Sequence, residues 1–215
     1  MKKSNMNKKM LGIVIPYYKN SEECETAFKK LMEALEEQLT DDMILVIYED
    51  GQYSEWLKDY DKINIKRISN EENKGVSHAR NVCLDYLIDK VNYILWLDSD
   101  DMLEDNYLKV MYEYCADMTH EIVESTIVIK DQIAKYDPKL IRCGVAGSAL
   151  QTKIIGNIRF DESLQIGEDT KFMHDVIDLT KYRKRHAPTK YFYQLGINNN
   201  SLTMLHSRNE IRKER

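Results

Sequence analysis

Apolar runs and helical stripes alternate along most of the chain. Leu11-Gly12-Ile13-Val14-Ile15 is a continuous apolar run that stops at Pro16, the pattern of a strand buried on both faces. Ser21 then reads as a helix cap, with Glu22 and Glu23 in the first turn, where negative charge meets the positive end of the helix dipole. Cys24, Ala27, Phe28, Leu31 and Leu35 follow at helical spacing. Met43 to Tyr48 is a second apolar strand that ends in Glu49-Asp50-Gly51. A short helical piece over 55–60 comes next, and Ile63, Ile65 and Ile68 predict a third, less buried strand. The segment Asn73 to Asn81 opens a helix to about Asp89, with Val76, Ala79, Cys83, Leu84, Leu87 and Ile88 as its apolar stripe. Tyr93 to Leu97 is the next continuous run, and it stops abruptly in Asp98-Ser99-Asp100-Asp101. Asp101 and Glu104 fit a loose capping box for a helix over 104–117.

Strands alternating with helices in this order predict an α/β fold: an open, mostly parallel twisted sheet flanked by helices. The pattern changes after Glu121. Ile122 to Lys130 and part of Leu140 to Ser148 predict a small antiparallel addition, and Tyr191-Phe192-Tyr193 a late strand. Between them, Gly167-Glu168-Asp169 opens a helix carrying Phe172, Met173, Val176 and Leu179. With no internal repeat and no clear linker, one domain over 11–205 is expected, with a flexible lead-in over 1–10 and a charged tail over 206–215.

Composition changes this picture little but excludes several classes. A formal net charge of −5 disfavours general nucleic-acid binding. No apolar run approaches the length of a membrane span, and the Lys- and Asn-rich start lacks the apolar region of a signal peptide. Cys24, Cys83, Cys115 and Cys143 have no Cys-x-x-Cys spacing and read as buried thiols in a reducing compartment. A cytoplasmic location is the expectation.

The candidate chemistry sits at the strand ends. Three carboxylates within Asp98 to Asp101 repel one another unless a positive charge joins them, and hard divalent cations that arrive with phosphates suit such oxygen clusters. Arg80 falls inside the apolar stripe of its helix, where a guanidinium needs an anion. A bound phosphate and a structural salt bridge to a neighbouring carboxylate both meet that need. Pro16, Glu49, Asp50 and Asp98 all end strands, where ligands of open α/β sheets bind. The GxGxxG fingerprint is absent, which disfavours a nicotinamide or flavin enzyme.

Taken in order, Gly12 to Asn20, Tyr48-Glu49-Asp50-Gly51, Asn73 to Asn81, Leu97-Asp98-Ser99-Asp100-Asp101 and Gly167-Glu168-Asp169 resemble glycosyltransferase family 2, the inverting GT-A-fold enzymes. The resemblance runs from Leu11 to Thr203. It implies that Pro16, Tyr17 and Tyr18, with Glu49 or Asp50, hold the nucleoside base, usually uracil, although this chain has Glu49-Asp50-Gly51-Gln52 where the family more often has Asp-Asp-Gly-Ser. It implies further that Lys74 and Arg80 face the nucleotide or its diphosphate, that Asp98 and Ser99 contact the donor, and that Asp100 binds Mn²⁺ or Mg²⁺. Asp169 matches the catalytic base and Glu168 the residue that places acceptor or sugar; a helix N-terminus favours a carboxylate there. His206 is a candidate further metal or diphosphate contact.

The implied function is metal-dependent, inverting transfer of one sugar from a nucleoside-diphosphate sugar, UDP-sugar first, to a hydroxyl of a glycan, lipid-linked or other acceptor. The Gln-x-x-Arg-Trp motif of processive synthases is absent, since neither Trp56 nor Trp96 follows an Arg, so a non-processive enzyme is expected. The competing readings are a non-catalytic nucleotide-sugar-binding accessory protein, disfavoured by the presence of Asp100 and Asp169, and a sugar nucleotidyltransferase, disfavoured by the Pro16 to Asn20 loop. Lys181 to Arg185 is a basic cluster that reads as a solvated face, or as a contact for an anionic acceptor or a peripheral membrane surface.

Overall fold

The computed structural model describes residues 8–60, 64–130, 132–134 and 136–194. Strands β1 (Lys9–Tyr17), β2 (Met43–Glu49), β3 (Ile65–Ser69) and β4 (Val91–Trp96) form the parallel half of one sheet, in the order β3-β2-β1-β4. The sheet continues through β8 (Ser148–Gln151), β6 (Ile122–Ile129), β9 (Lys184–Tyr193) and β5 (Met102–Leu103), and β7 (Gln132–Ile133) pairs with β6. The expected antiparallel addition is present at β4–β8, β6–β8, β6–β7 and β5–β9, but β6 and β9 run parallel.

Side chains of β1 alternate between two cores. Leu11, Ile13, Ile15 and Tyr17 pack with Phe28, Leu31, Met32 and Leu35 of helix α1 (Glu22–Glu36) and with Tyr107, Leu108 and Met111 of α3 (Tyr107–Ala116). Val14 and Trp96 face α2 (Val76–Leu87), α4 (Thr152–Ile155) and α5 (Glu168–Val176), through Ala79, Cys83, Leu84, Ile155, Phe172 and Met173. Ser21 caps α1 as expected, its Oγ accepting the Cys24 amide at 3.3 Å.

Several boundaries move for identifiable reasons. β1 begins at Lys9, inside the stretch expected as a lead-in, and it runs through Pro16 to Tyr17. Val14 C=O accepts from Leu97 N–H on the β4 side and Tyr17 C=O accepts from Asp50 N–H on the β2 side. Pro16 therefore faces the β4 side, where pairing has already ended at Val14 and Trp96, so its missing N–H breaks no ladder bond. The strand expected within Leu140 to Ser148 forms only at Ser148–Gln151. Asp101 does not cap a helix. The chain passes through β5 first, and α3 starts after Asn106 in the left-handed conformation, φ 62°.

The start of β6 is tied down by Glu121, whose carboxylate accepts from the Lys153 ammonium and the Arg183 amide, each at 3.0 Å. Burial alone pushes this carboxyl up, but those donors outweigh it and hold the pKa at about 2. A lowered folded-state pKa gives stability that is present above the unfolded value and lost as pH falls toward the folded one. Glu121→Gln is therefore expected to be less stable than the parent at pH 7, with the gap closing between about pH 4.5 and pH 2. Urea melts across that range test this, and a gap independent of pH would count against it.

Candidate active site

The carboxyl ends of β1, β2 and β4 and the N-termini of α2 and α5 surround a cleft of about 780 Å³. Pro16, Tyr17, Tyr18, Asp50, Arg80, Asp98, Ser99, Asp100, Glu168 and Asp169, from across the whole chain, all line it. Tyr17 is buried and Tyr18 is about half exposed.

Glu49 and Asp50, adjacent in sequence, have opposite fates. Glu49 is fully buried and turned away from the cleft: Arg67 Nη2 and Nε reach its Oε2 at 2.7 and 3.0 Å, and the Ser54 amide reaches Oε1 at 2.6 Å. Asp50 faces the cleft and accepts the backbone amides of Lys74 and Gly75, each at 2.8 Å. Lys74 thus joins the site through its main chain, with an exposed side chain. Gly51 makes this crossing feasible: its φ is +76°, and a Cβ there would lie 2.7 Å from the Asn73 amide nitrogen.

Arg80 is the hub. It is 4% exposed, and its guanidinium forks between two elements: Nη1 to Glu168 Oε1 at 2.8 Å and Nη2 to Asp98 Oδ1 at 3.0 Å. Its Cζ lies 5.4 Å from the centre of the Phe160 ring, which stacks on Phe172 with centroids 3.9 Å apart. The salt bridge weighed from the sequence is real, and the same side chain also lines the cleft. Arg80 therefore locks the end of β4 to the start of α5.

The aspartate cluster divides its roles. Asp98 faces Arg80, and its amide donates to Tyr191 Oη at 2.9 Å. Asp101 is buried and receives the Tyr191 hydroxyl at 2.6 Å and the Gln194 amide at 2.7 Å. Asp100 lines the cleft. Burial and the Asp98 charge push the Asp100 carboxyl up to about 6, and burial with the charges of Asp98 and Asp100 pushes Asp101 up to about 8. The cluster is short of positive charge on the side away from Arg80. Among the described residues no group of three or more His, Cys, Asp or Glu side chains grips an ion by itself. Mg²⁺-like ions take one or two carboxylates and complete their shell with water and phosphate oxygens, so Asp100 at the cleft wall fits that use.

Asp169 sits at the first turn of α5, its Oδ1 accepting the Thr170 amide at 2.7 Å. Its Oδ2 lies against Gly144, where a Cβ would approach to 3.2 Å and φ is +127°. Glu168 is 8% exposed, and burial raises its carboxyl pKa while Arg80 pulls it back. His206 lies outside the described residues. Tyr193 and Gln165-Ile166 also line the cleft and Tyr191 anchors Asp98 and Asp101; the late aromatic strand signalled the two tyrosines, and nothing in the sequence signalled Gln165-Ile166.

The basic cluster is not a single face. Lys181 pairs with Asp178 at 2.8 Å, Arg185 with Asp117 at 2.6 Å, and Arg183 lies 3.7 Å from Glu121. Lys184 turns inward. No helix among the described residues is long and apolar enough to cross a membrane.

The poly(glycerol phosphate) polymerase of teichoic acid from Staphylococcus epidermidis is 40% identical over 105 residues, covering 46% of this chain and 13% of the relative. The minor teichoic acid biosynthesis protein GgaA of Bacillus subtilis is 26% identical over 90% of this chain and 49% of its own length. The chain thus spans half or less of these relatives. The crystal structure of S. aureus TarS 1-349 in complex with UDP-GlcNAc superposes with a TM-score of 0.69 at 18% identity, over 87% of this chain and 59% of that one, and has the same α/β architecture. Residues 12–187 match the profile of Glycosyl transferase family 2, and the chain belongs to that family of glycosyltransferase enzymes.

Proposed function

We propose that this chain forms the donor-binding and catalytic domain of an inverting glycosyltransferase that moves one sugar from a UDP-sugar to a hydroxyl of a teichoic-acid-type polymer. One observation carries the reading: Asp100 and Asp169, from strand and helix ends 69 positions apart in the chain, face the same cleft as Pro16, Tyr17 and Asp50. The similarity to GgaA and the UDP-GlcNAc complex of TarS support the acceptor class and the donor class.

In this reading Pro16 to Tyr18 and Asp50 seat the base, and Asp98 and Ser99 meet the donor. Asp100 would hold Mn²⁺ or Mg²⁺, which when bound supplies charge neutralisation for the diphosphate. Asp169 accepts the proton of the acceptor hydroxyl as that oxygen forms its bond to the anomeric carbon. The bond from that carbon to the diphosphate oxygen breaks on the opposite face, and the nucleoside diphosphate leaves with the electron pair. Configuration at the carbon inverts. Arg80 holds Asp98 and Glu168 in register for this geometry. Transfer is non-processive and cytoplasmic in this reading.

A panel of nucleotide-sugars, scored by hydrolysis and thermal stabilisation with and without Mn²⁺, tests the proposal. UDP-sugars are expected to stabilise the protein only when metal is present. Asp100→Asn should reduce the metal-dependent part of that shift by about tenfold in apparent metal affinity. No response to any nucleotide with metal would refute the donor reading.

A further inference from the structure

Asp98 to Asp101 form a tight turn: the Asp101 amide donates to Asp98 O at 3.3 Å, and the two central residues, Ser99 and Asp100, line the cleft. One hydroxyl grips both ends of that turn. Tyr191 Oη accepts the Asp98 amide at 2.9 Å and donates to Asp101 Oδ2 at 2.6 Å. The other Asp101 oxygen, Oδ1, accepts the Gln194 amide at 2.7 Å, so both carboxylate oxygens are tied to β9 and the residue after it. From the α2 side, Arg80 holds the Asp98 carboxylate. These grips fall on Asp98 and Asp101, and none of them takes up the carboxylate of Asp100.

The hydroxyl has little freedom of its own. The Tyr191 ring is fully buried beside Tyr107, with ring centres 6.2 Å apart, and its backbone pairs with Leu103 of β5, just beyond the turn. A packed side chain with two torsions fixes where its hydroxyl sits, and a hydroxyl that satisfies two buried polar groups fixes them in turn. Without it, a buried amide and a buried carboxylate oxygen need new partners, and the turn shifts to supply them.

We propose that Tyr191 is a positioning residue for the divalent cation: its hydroxyl, acting through Asp98 and Asp101, sets the turn so that Asp100 meets the ion in the cleft. The inference rests on the metal role given to Asp100 above. It makes that role depend on a strand that contributes no ligand to the ion.

The test measures Mn²⁺ binding to the full chain saturated with UDP, from the EPR signal of free Mn²⁺, beside the metal dependence of the UDP thermal shift. Tyr191→Phe keeps the ring, its packing and the β5 pairing, and is expected to weaken Mn²⁺ binding about tenfold, as loss of a partner that orients a metal ligand does. The UDP thermal shift should return once Mn²⁺ is raised by that factor, which a general loss of folding would not allow. Tyr107→Phe is the matched control. It removes an equally buried hydroxyl, 3.0 Å from Ser125 Oγ and not bonded to the turn, and should leave Mn²⁺ affinity unchanged. Should Tyr191→Phe fold poorly, Asp101→Asn reads the same weakening, because one carbonyl oxygen cannot serve the two donors that the carboxylate serves now. Unchanged Mn²⁺ affinity in folded Tyr191→Phe, or equal weakening in Tyr107→Phe, would overturn the positioning role while the metal site survives. No Mn²⁺ binding by the parent protein would instead bring down the metal reading of Asp100 on which it rests.

Discussion

Asp169→Asn is expected to lower transfer by about 10³-fold or more, the range for loss of a general base, while leaving UDP binding within about twofold of the parent. The amide is nearly isosteric, and its oxygen can still accept the Thr170 amide that now holds Oδ1 at 2.7 Å. The start of α5 should therefore keep its place, and the loss should appear in kcat with little change in the KM for donor. Calorimetry with UDP and Mn²⁺ beside single-turnover assays separates the two effects. Undiminished turnover would remove Asp169 from proton transfer, and loss of UDP affinity in step with activity would make it a donor ligand instead. Gly144 is the companion position, because any side chain there meets Asp169 Oδ2 at 3.2 Å.

Arg80→Met is expected to destabilise the fold by about 3–5 kcal/mol at pH 8, because removing one partner of a buried ion network leaves the other charges uncompensated. Asp98 and Glu168 both lose their counter-ion, and Glu168 is already pushed up by burial. Carboxyls whose folded-state pKa is raised bind more protons in the folded than in the unfolded protein, so the folded state gains stability as pH falls. The deficit of Arg80→Met should accordingly be largest at pH 8 and shrink toward pH 5 in urea melts. Lysine should rescue little, since one ammonium cannot fork between Asp98 on one element and Glu168 on another. A variant as stable as the parent at pH 8, or a deficit that grows on acidification, would show that Arg80 is not the structural tie between β4 and α5.

Parts of this site were legible because they obey local rules. A continuous apolar run followed by carboxylates marks a buried strand and its end, and Asp98, Asp100 and Asp50 do sit at such ends in the cleft. Glu168 and Asp169 open a helix, as the glycine before them and the stripe of Phe172, Met173 and Val176 indicate. Glu49 was misplaced because a strand turns successive side chains to opposite faces, and the sequence does not say which of two adjacent carboxylates faces the ligand. The cap expected at Asp101 is locally reasonable. It yields to the Tyr191 hydroxyl, 90 positions further on, which offers a buried hydrogen bond of 2.6 Å.

The sequence by itself determined the alternation of strands and helices, the two-faced burial of the parallel strands and the set of strand-end residues, because these follow from hydrophobic period and end signals over a few residues. Only the tertiary structure decided the partners. The order β4-β8-β6-β9 brings Tyr191 to Asp98 and Asp101, and it places Lys184 beside Glu124 instead of in a basic surface with Arg183 and Arg185. Those pairings join residues 60 to 93 positions apart. They are set by which strands lie side by side, and no local pattern in the chain encodes that.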